Sequence, residues 1–182
     1  MKVNIRGKKV LIFGLNGTGK TTLAKYISRF YKTLVLTLNG YEWVKEDVTL
    51  LQCNAIEDFK KWLSLIINKE LYKKAELIIF DDFDLFFQHH FDYDVNFQNL
   101  IYRNRHLNNI SIIAITRRPQ NLPSKYYEVF DILVGFRIEA PNVITKLNQI
   151  YPGLGEMVKN LDNYVFIWKE IGKEPIKAKV RL

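Results

Sequence analysis

Short apolar runs alternate with amphipathic segments along most of the chain. The apolar runs predict strands over residues 9–13, 33–38, 77–80, 111–116, 131–138 and 164–168. Apolar positions at helical spacing predict helices over residues 21–30, 57–66, 95–106, 141–151 and 154–161. Continuous apolar strands separated by helices are typical of a mostly parallel sheet with both faces covered. The pattern therefore predicts a three-layer α/β fold, with helices on both sides of the sheet.

The first predicted strand ends in a glycine-rich loop, GLNGTGKT, at residues 14–21. Between a strand and a helix, this spacing is the phosphate loop or Walker A motif. Backbone N–H groups of such a loop, together with the N-terminus of the next helix, bind phosphate. We expect Lys20 to reach the β- and γ-phosphates of ATP and the Thr21 hydroxyl to be a ligand of Mg²⁺. The expected nucleotide-binding residues are Gly14, Leu15, Asn16, Gly17, Thr18, Gly19, Lys20, Thr21 and Thr22.

Two carboxylates follow the predicted strand over residues 77–80, in the segment LIIFDDFDLFF. We expect Asp81 to hold Mg²⁺ and Asp82 to polarise the attacking water, in a Walker B arrangement. Glutamate is usual at the position of Asp82, and aspartate is one methylene shorter, so the water would lie closer or the loop would shift. The alternative is that both acids only end a strand and begin a turn.

A third polar cluster ends the strand predicted over residues 111–116, in SIIAITRRPQNLP. Thr116 is placed to sense the γ-phosphate, and Arg117 is a second sensor candidate. Arg117 or Arg118 could act on the nucleotide of its own subunit, on that of a neighbour, or on DNA phosphate. The alternative is a solvated basic turn. In proteins with such an extra strand, it lies between the phosphate-loop strand and the strand that carries the acids.

The length of 182 residues suits one domain, expected over residues 1–171, followed by a basic tail over residues 172–182. A formal charge of +8 favours a polyanionic partner such as nucleic acid, although solubility alone is the alternative. The single cysteine, Cys53, fits a reducing compartment, and we expect a cytoplasmic protein. No apolar run approaches the roughly 18 residues that a membrane span requires.

Taken together, these three segments resemble the FtsK–HerA superfamily of DNA-pumping ATPases. Asp81 to Leu85 match its hydrophobic-Asp-Glu-Phe-x-Asp-Leu segment, and Thr116 to Pro119 match its Ala-Thr-Gln-Arg-Pro strand end. The resemblance covers residues 8 to about 140 and implies a three-layer P-loop NTPase fold of the ASCE, RecA-like class. Two positions depart from the pattern: Asp82 replaces the usual Glu, and Arg117 replaces the usual Gln.

The length of the chain makes it similar to the genome-packaging ATPases of icosahedral, membrane-containing viruses. That resemblance implies a ring, usually a hexamer, which threads double-stranded DNA into a preformed capsid. It also implies a location in the host cytoplasm or at a packaging vertex of the virion, with a capsid or viral membrane protein as partner.

A ring whose subunits hydrolyse ATP one after another needs an arginine of one subunit to reach the γ-phosphate of its neighbour. The candidates are Arg103, Arg105, Arg117, Arg118 and Arg137. The sequence leaves this choice open, and Arg103 and Arg105 could equally form a solvated helix face.

The aromatic segment FFQHHFDYD, residues 86–94, is a candidate for coupling hydrolysis to movement. Its adjacent histidines, His89 and His90, point in different directions, which favours surface or pore residues over metal ligands. The alternatives to a DNA motor are a small-molecule kinase, a phage-assembly or conjugation ATPase, and a non-hydrolysing nucleotide switch. The absence of an arginine-rich substrate lid disfavours the kinase, and the absence of a membrane anchor disfavours the second class.

Overall fold

The computed structural model describes residues 4–55, 57–85 and 94–180, and their strands form one eight-stranded sheet. The order of the strands across the sheet is β3-β2-β4-β5-β1-β6-β7-β8. Their bounds are β1 Lys9–Phe13, β2 Thr33–Thr37, β3 Thr49–Gln52, β4 Leu77–Phe80, β5 Ser111–Thr116, β6 Ile132–Gly135, β7 Val165–Glu170 and β8 Ile176–Lys179.

Helices connect the strands and cover the sheet. They are α1 Lys20–Ser28, α2 Glu57–Asn68, α3 Val95–Arg103, α4 Ser124–Tyr127, α5 Pro141–Ile150 and α6 Leu154–Lys159. Short 3-10 turns lie at Gly40–Glu42, Leu71–Lys74 and Pro119–Asn121. The start of α3 follows from a local side-chain bond, because the Asp94 carboxylate accepts from the backbone N–H groups of Asn96 and Phe97.

Parallel pairing brings the ends of several strands to one edge of the sheet. The strand β5 lies between β1 and β4, and all three run in the same direction, as the sequence predicted. The register places Phe13 at the end of β1 beside Thr116, and Phe80 at the end of β4 beside Ala114. The phosphate loop and the paired acids, which follow Phe13 and Phe80, therefore meet at the carboxyl edge. Among the described strands, the antiparallel pairs are β6–β7 and β7–β8.

Two apolar layers, one on each face of the sheet, bury its strands. Leu11 and Phe13 pack into one layer, whereas the alternate residues Val10 and Ile12 pack into the other. Each fully buried large side chain contributes about 1.5–3 kcal/mol relative to an exposed one. The three-layer α/β fold expected from the sequence is therefore confirmed.

Two strands were not predicted. The first, β3, is an edge strand with only Leu51 buried, so its sequence lacks the continuous apolar run of the central strands. The second, β8, lies inside the segment assigned to a basic tail, and Ile176–Lys179 instead pairs with β7 as the last strand of the sheet. Alternating lysines gave β8 low apolar content, but antiparallel pairing satisfies the backbone groups that face β7, and Val180 is buried.

Residues 86–93, including His89 and His90, lie outside the described residues, so the coupling segment expected there stays a prediction. Within the described residues, none of the helices combines the length and the apolar character needed to cross a bilayer.

Candidate nucleotide-binding site

The phosphate loop wraps around the ammonium group of Lys20. Its Nζ donates hydrogen bonds to the carbonyl oxygens of Gly14 at 2.8 Å and Leu15 at 2.7 Å. The Thr18 hydroxyl donates to the same Leu15 oxygen at 2.7 Å. These bonds hold the loop closed around Lys20 at the N-terminus of α1, where backbone N–H groups are free to bind an anion.

Two glycines of this loop have no room for a side chain. Gly14 has a φ of 149°, and a Cβ added there would lie 2.6 Å from Cβ of Phe136. Gly19 has a φ of 110°, and its added Cβ would lie 2.7 Å from the ring of Tyr164. The backbone conformation and the close packing both require glycine at these positions. The sequence motif is therefore explained by contacts with elements far along the chain.

Asp81 is buried at the end of β4 and is held by an indole. Trp43 Nε1 donates to its Oδ2 at 2.9 Å, and the carboxylate is 6% exposed. Burial raises the pKa of Asp81 to about 6, while the hydrogen bond from Trp43 acts in the opposite direction and lowers it. Trp43 is 1% exposed, so this core residue also positions an acid.

Asp82 faces Arg117 and has a left-handed backbone, with a φ of 65°. Its Oδ1 lies 3.3 Å from Nε of Arg117, in an ion pair whose carboxylate is 16% exposed. Burial raises the pKa of Asp82, and the guanidinium of Arg117 lowers it. The two residues that depart from the family pattern therefore contact each other.

A third acid, Asp84, contacts Thr116 at the end of β5. The Thr116 hydroxyl donates to Oδ1 of Asp84 at 3.0 Å and accepts from the backbone N–H of Arg118 at 3.1 Å. Both side chains are buried, so this pair fixes the turn after β4 against the end of β5. Thr116 lies at the carboxyl edge of the sheet, as expected, and its hydroxyl is hydrogen-bonded to Asp84.

A cavity of about 320 Å³ opens between the phosphate loop and these strand ends. The residues that line it are Asn16, Gly17, Gly19, Lys20, Thr21, Thr22, Glu42, Asp81, Ile115, Arg117 and Tyr164. The structure thus gathers most of the predicted loop, Asp81 and Arg117 around one space. Glu42 and Tyr164 were not predicted.

The charges in this cavity act on Lys20. Burial, with the nearby Arg117 guanidinium, lowers the pKa of Lys20 to about 8, whereas Asp81 and Asp82 raise it. At neutral pH the side chain remains mostly protonated, and desolvation strengthens its interaction with a phosphate that enters the site.

The remaining candidate arginines are spread over the molecule. Arg105 pairs with Asp131 at 3.0 Å, at the amino edge of the sheet and opposite the phosphate loop. Arg103 ends α3 and Arg118 follows β5, and both are exposed. Arg137 lies beside the phosphate loop, since its carbonyl accepts from Leu15 N–H, and its Nε lies 3.4 Å from Glu139.

Glu42 and Trp43 reach the site because β2 lies next to β4. The turn signal Asn39-Gly40 after an apolar strand could have indicated a loop at the carboxyl edge. No pattern in the sequence indicated that β2 and β4 are neighbours. Tyr164 also depends on non-local contacts, since its N–H donates to the Thr18 carbonyl at 2.8 Å.

The oxygen donors at this site suit Mg²⁺. The Thr21 hydroxyl and the Asp81 carboxylate both line the cavity, and Mg²⁺ prefers such hard oxygen ligands together with phosphate and water. Residues 4–55, 57–85 and 94–180 contain no group of three or more His, Cys, Asp or Glu able to hold a metal ion. Thr21 and Asp81 would thus supply two of the oxygen ligands of a Mg²⁺ ion that also binds phosphate.

A sequence profile of the ATPase family associated with various cellular activities (AAA) matches residues 10–138. Comparison with curated proteins gives no match. Among solved structures, B204, the DNA-packaging ATPase from Sulfolobus turreted icosahedral virus, has a TM-score of 0.80 at 18% identity, covering 97% of this chain and 98% of B204.

The genome packaging NTPase B204 from Sulfolobus turreted icosahedral virus 2, in complex with AMPPCP, has a TM-score of 0.77 at 18% identity. That match covers 97% of this chain and 100% of the other. The flagellar accessory protein FlaH from Methanocaldococcus jannaschii has a TM-score of 0.55 at 15% identity, covering 97% and 91% of the two chains. The resemblance to packaging ATPases that the sequence indicated is confirmed at the level of the fold.

Proposed function

Because the chain belongs to the ATPase family associated with various cellular activities, and is thus a P-loop ATPase, we propose that it couples ATP hydrolysis to DNA movement. Its task in this proposal is to translocate double-stranded DNA and to package a viral genome into a preformed capsid.

One observation carries the proposal: the phosphate loop, Asp81 and Arg117 line a single cavity in a fold that matches a DNA-packaging ATPase over almost its whole length. The coverage of 97% and 98% leaves little of either chain outside the shared fold. The formal charge of +8 agrees with a polyanionic partner.

The residues of the cavity divide the chemistry among them. Lys20 leaves the carbonyls of Gly14 and Leu15 and binds the β- and γ-phosphates, while the backbone N–H groups of the loop surround them. Thr21 and Asp81 would hold Mg²⁺, which when bound neutralises negative charge on the phosphate oxygens. Arg117 lies on the same cavity wall and is oriented by Asp82, so its guanidinium can stabilise charge that develops at the γ-phosphate.

The working form in this proposal is a ring, with a hexamer as the expected size. An arginine of the neighbouring protomer completes each site, and the exposed Arg118 and Arg103 are better placed to leave their own protomer than Arg105, which pairs with Asp131. Arg137 is a further candidate, close to the phosphate loop. The ring acts in the host cytoplasm, or at a packaging vertex with a capsid or viral membrane protein.

The test is ATP hydrolysis by the purified chain with and without duplex DNA, together with displacement of a third strand from a triplex. We expect duplex DNA to stimulate hydrolysis and the triplex to be resolved only with ATP and Mg²⁺. Lys20→Ala removes the phosphate contact and should abolish both activities, while Lys45→Ala, at an exposed position outside the cavity, should retain them.

Hydrolysis that is indifferent to duplex DNA, with no triplex displacement, would contradict the proposal. Sedimentation with ATP and DNA present tests the ring separately, because a packaging motor must assemble around its substrate.

A further inference from the structure

The carboxylates of Asp82 and Glu42 both lie near the phosphate loop, and they face different surroundings. Asp82, at the position where the attacking water was expected, pairs with Arg117 and is not among the described residues that line the cavity. Glu42, which no motif indicated, lines the cavity together with Asp81 and Thr21.

Glu42 is also exposed, so water has access to its carboxylate from the cavity. Asn39 Nδ2 donates to Glu42 Oε1 at 3.1 Å, which restrains the carboxylate and occupies that oxygen. A glutamate is one methylene longer than an aspartate, so its oxygen extends farther from the backbone into the open space.

The backbone beneath Glu42 is fixed relative to the metal-binding acid. The next residue, Trp43, is 1% exposed and bonds Asp81 at 2.9 Å, and its own N–H donates to the Gly40 carbonyl at 2.9 Å. A buried indole on one side and a 3-10 turn on the other hold Glu42 close to Asp81.

From this arrangement we propose that Glu42, and not Asp82, is the catalytic residue that accepts the proton of the attacking water. The inference rests on the ATP hydrolysis of the proposed function and names the residue that activates its nucleophile. Asp82 then acts as a positioning residue that orients Arg117.

The step balances as a hydrolysis. The water oxygen forms a bond to the γ-phosphorus as one of its protons passes to Glu42 Oε2. The bond between the γ-phosphorus and the bridging oxygen breaks, and its electron pair stays on the β-phosphate of ADP. Inorganic phosphate leaves, and Glu42 releases the proton to solvent.

The experiment compares single-turnover hydrolysis by Glu42→Gln, Asp82→Asn and a matched control, Glu46→Gln. Glu46 lies in the same loop but pairs with Arg29 at 3.4 Å, away from the cavity. A general base contributes about 10²–10⁴-fold, so we expect Glu42→Gln to lower the rate at least 100-fold. Affinity for AMPPCP should stay within about threefold, since glutamine keeps the size and polarity of glutamate.

Asp82→Asn should lower the rate less than Glu42→Gln, and Glu46→Gln should leave it unchanged. A chemical rescue separates a base from a merely structural side chain: formate added to Glu42→Ala should restore part of the rate, because a free carboxylate can occupy the vacated position. No rescue is expected for Asp82→Ala.

A Glu42→Gln rate within about threefold of the unmodified chain would overturn the inference, as would a 100-fold loss confined to Asp82→Asn. These outcomes are distinct from failure of the motor. Loss of hydrolysis in Glu42→Gln, combined with no effect of duplex DNA on the unmodified chain, supports Glu42 and contradicts translocation. An unchanged rate in Glu42→Gln, combined with stimulation of the unmodified chain by duplex DNA, contradicts only the role of Glu42. An unmodified chain that does not hydrolyse ATP contradicts both proposals.

Discussion

The indole of Trp43 donates its only hydrogen bond to Asp81, over a distance of 2.9 Å and across 38 positions of sequence. Asp81 is buried, and burial alone disfavours its charged form. The bond from Trp43 opposes that effect and also fixes which carboxylate oxygen remains available. Trp43 thus links the turn after β2 to the acid at the end of β4.

Removing this bond while keeping an aromatic side chain should weaken the proposed Mg²⁺ site. In Trp43→Phe we expect a loss of about 1–3 kcal/mol in the free energy of unfolding, because a buried carboxylate oxygen loses its partner. Hydrolysis should also require a higher Mg²⁺ concentration, as the carboxylate loses its fixed orientation. Denaturant unfolding and a Mg²⁺ titration of the ATPase rate measure the two effects.

Trp62→Phe is the matched control for that substitution. The Trp62 indole donates to the Gln52 carbonyl at 3.2 Å, outside the cavity. Trp62→Phe should therefore leave the Mg²⁺ dependence of hydrolysis unchanged. An identical shift in both variants would mean that the Trp43 bond has no specific role.

The pair of adjacent arginines should give unequal effects. Arg117 lines the cavity and contacts Asp82, whereas Arg118 is exposed and is not among the described lining residues. Arg117→Ala should reduce kcat by about 10²–10³-fold, as loss of a charge stabiliser at the phosphate does. Arg118→Ala should leave basal hydrolysis within about threefold and affect only activities that depend on a neighbouring protomer or DNA. Steady-state kinetics on both variants provide the comparison. Equal losses of kcat in the two variants would contradict the prediction.

Alanine at Gly19 should be far more damaging than alanine at Gly172. Both glycines have positive φ, 110° and 75°, so either substitution costs roughly 1–2 kcal/mol of backbone strain. Only at Gly19 does the new Cβ also meet the Tyr164 ring, at 2.7 Å. We expect Gly19→Ala to lower the thermal midpoint further than Gly172→Ala and to lose nucleotide binding. Calorimetry with and without ATP measures both effects. Similar thermal midpoints for Gly19→Ala and Gly172→Ala would argue against the clash with Tyr164.

The lone thiol should be unreactive in the folded protein. Cys53 is 1% exposed, and burial raises the pKa of its thiol to about 12. The reactive thiolate is therefore scarce at pH 8, where an ordinary thiol near pKa 8.5 would be partly ionised. Labelling with iodoacetamide at pH 8 should be at least 10-fold slower in the native chain than in urea. Comparable rates in both conditions would contradict the buried position.

The sequence by itself determined the local features of this site. The spacing of Gly14, Gly19 and Lys20 dictates a loop whose backbone binds phosphate, because glycine conformation and helix N-terminal N–H groups are properties of adjacent residues. The apolar run that ends at Phe80, just before Asp81 and Asp82, likewise predicted two acids at the end of a strand. Continuous apolar strands indicated a mostly parallel sheet, which the structure confirms.

Tertiary structure decided what depends on contacts between distant segments. The adjacency of β2 and β4 brings Glu42 and Trp43 to Asp81, and no local pattern encodes that adjacency. The same holds for the Asp82–Arg117 ion pair and for β8, whose alternating lysines look like a solvated tail until β7 supplies a partner edge. Local hydrogen bonding and side-chain period are written in neighbouring residues, whereas strand order follows from how the whole chain buries its apolar faces.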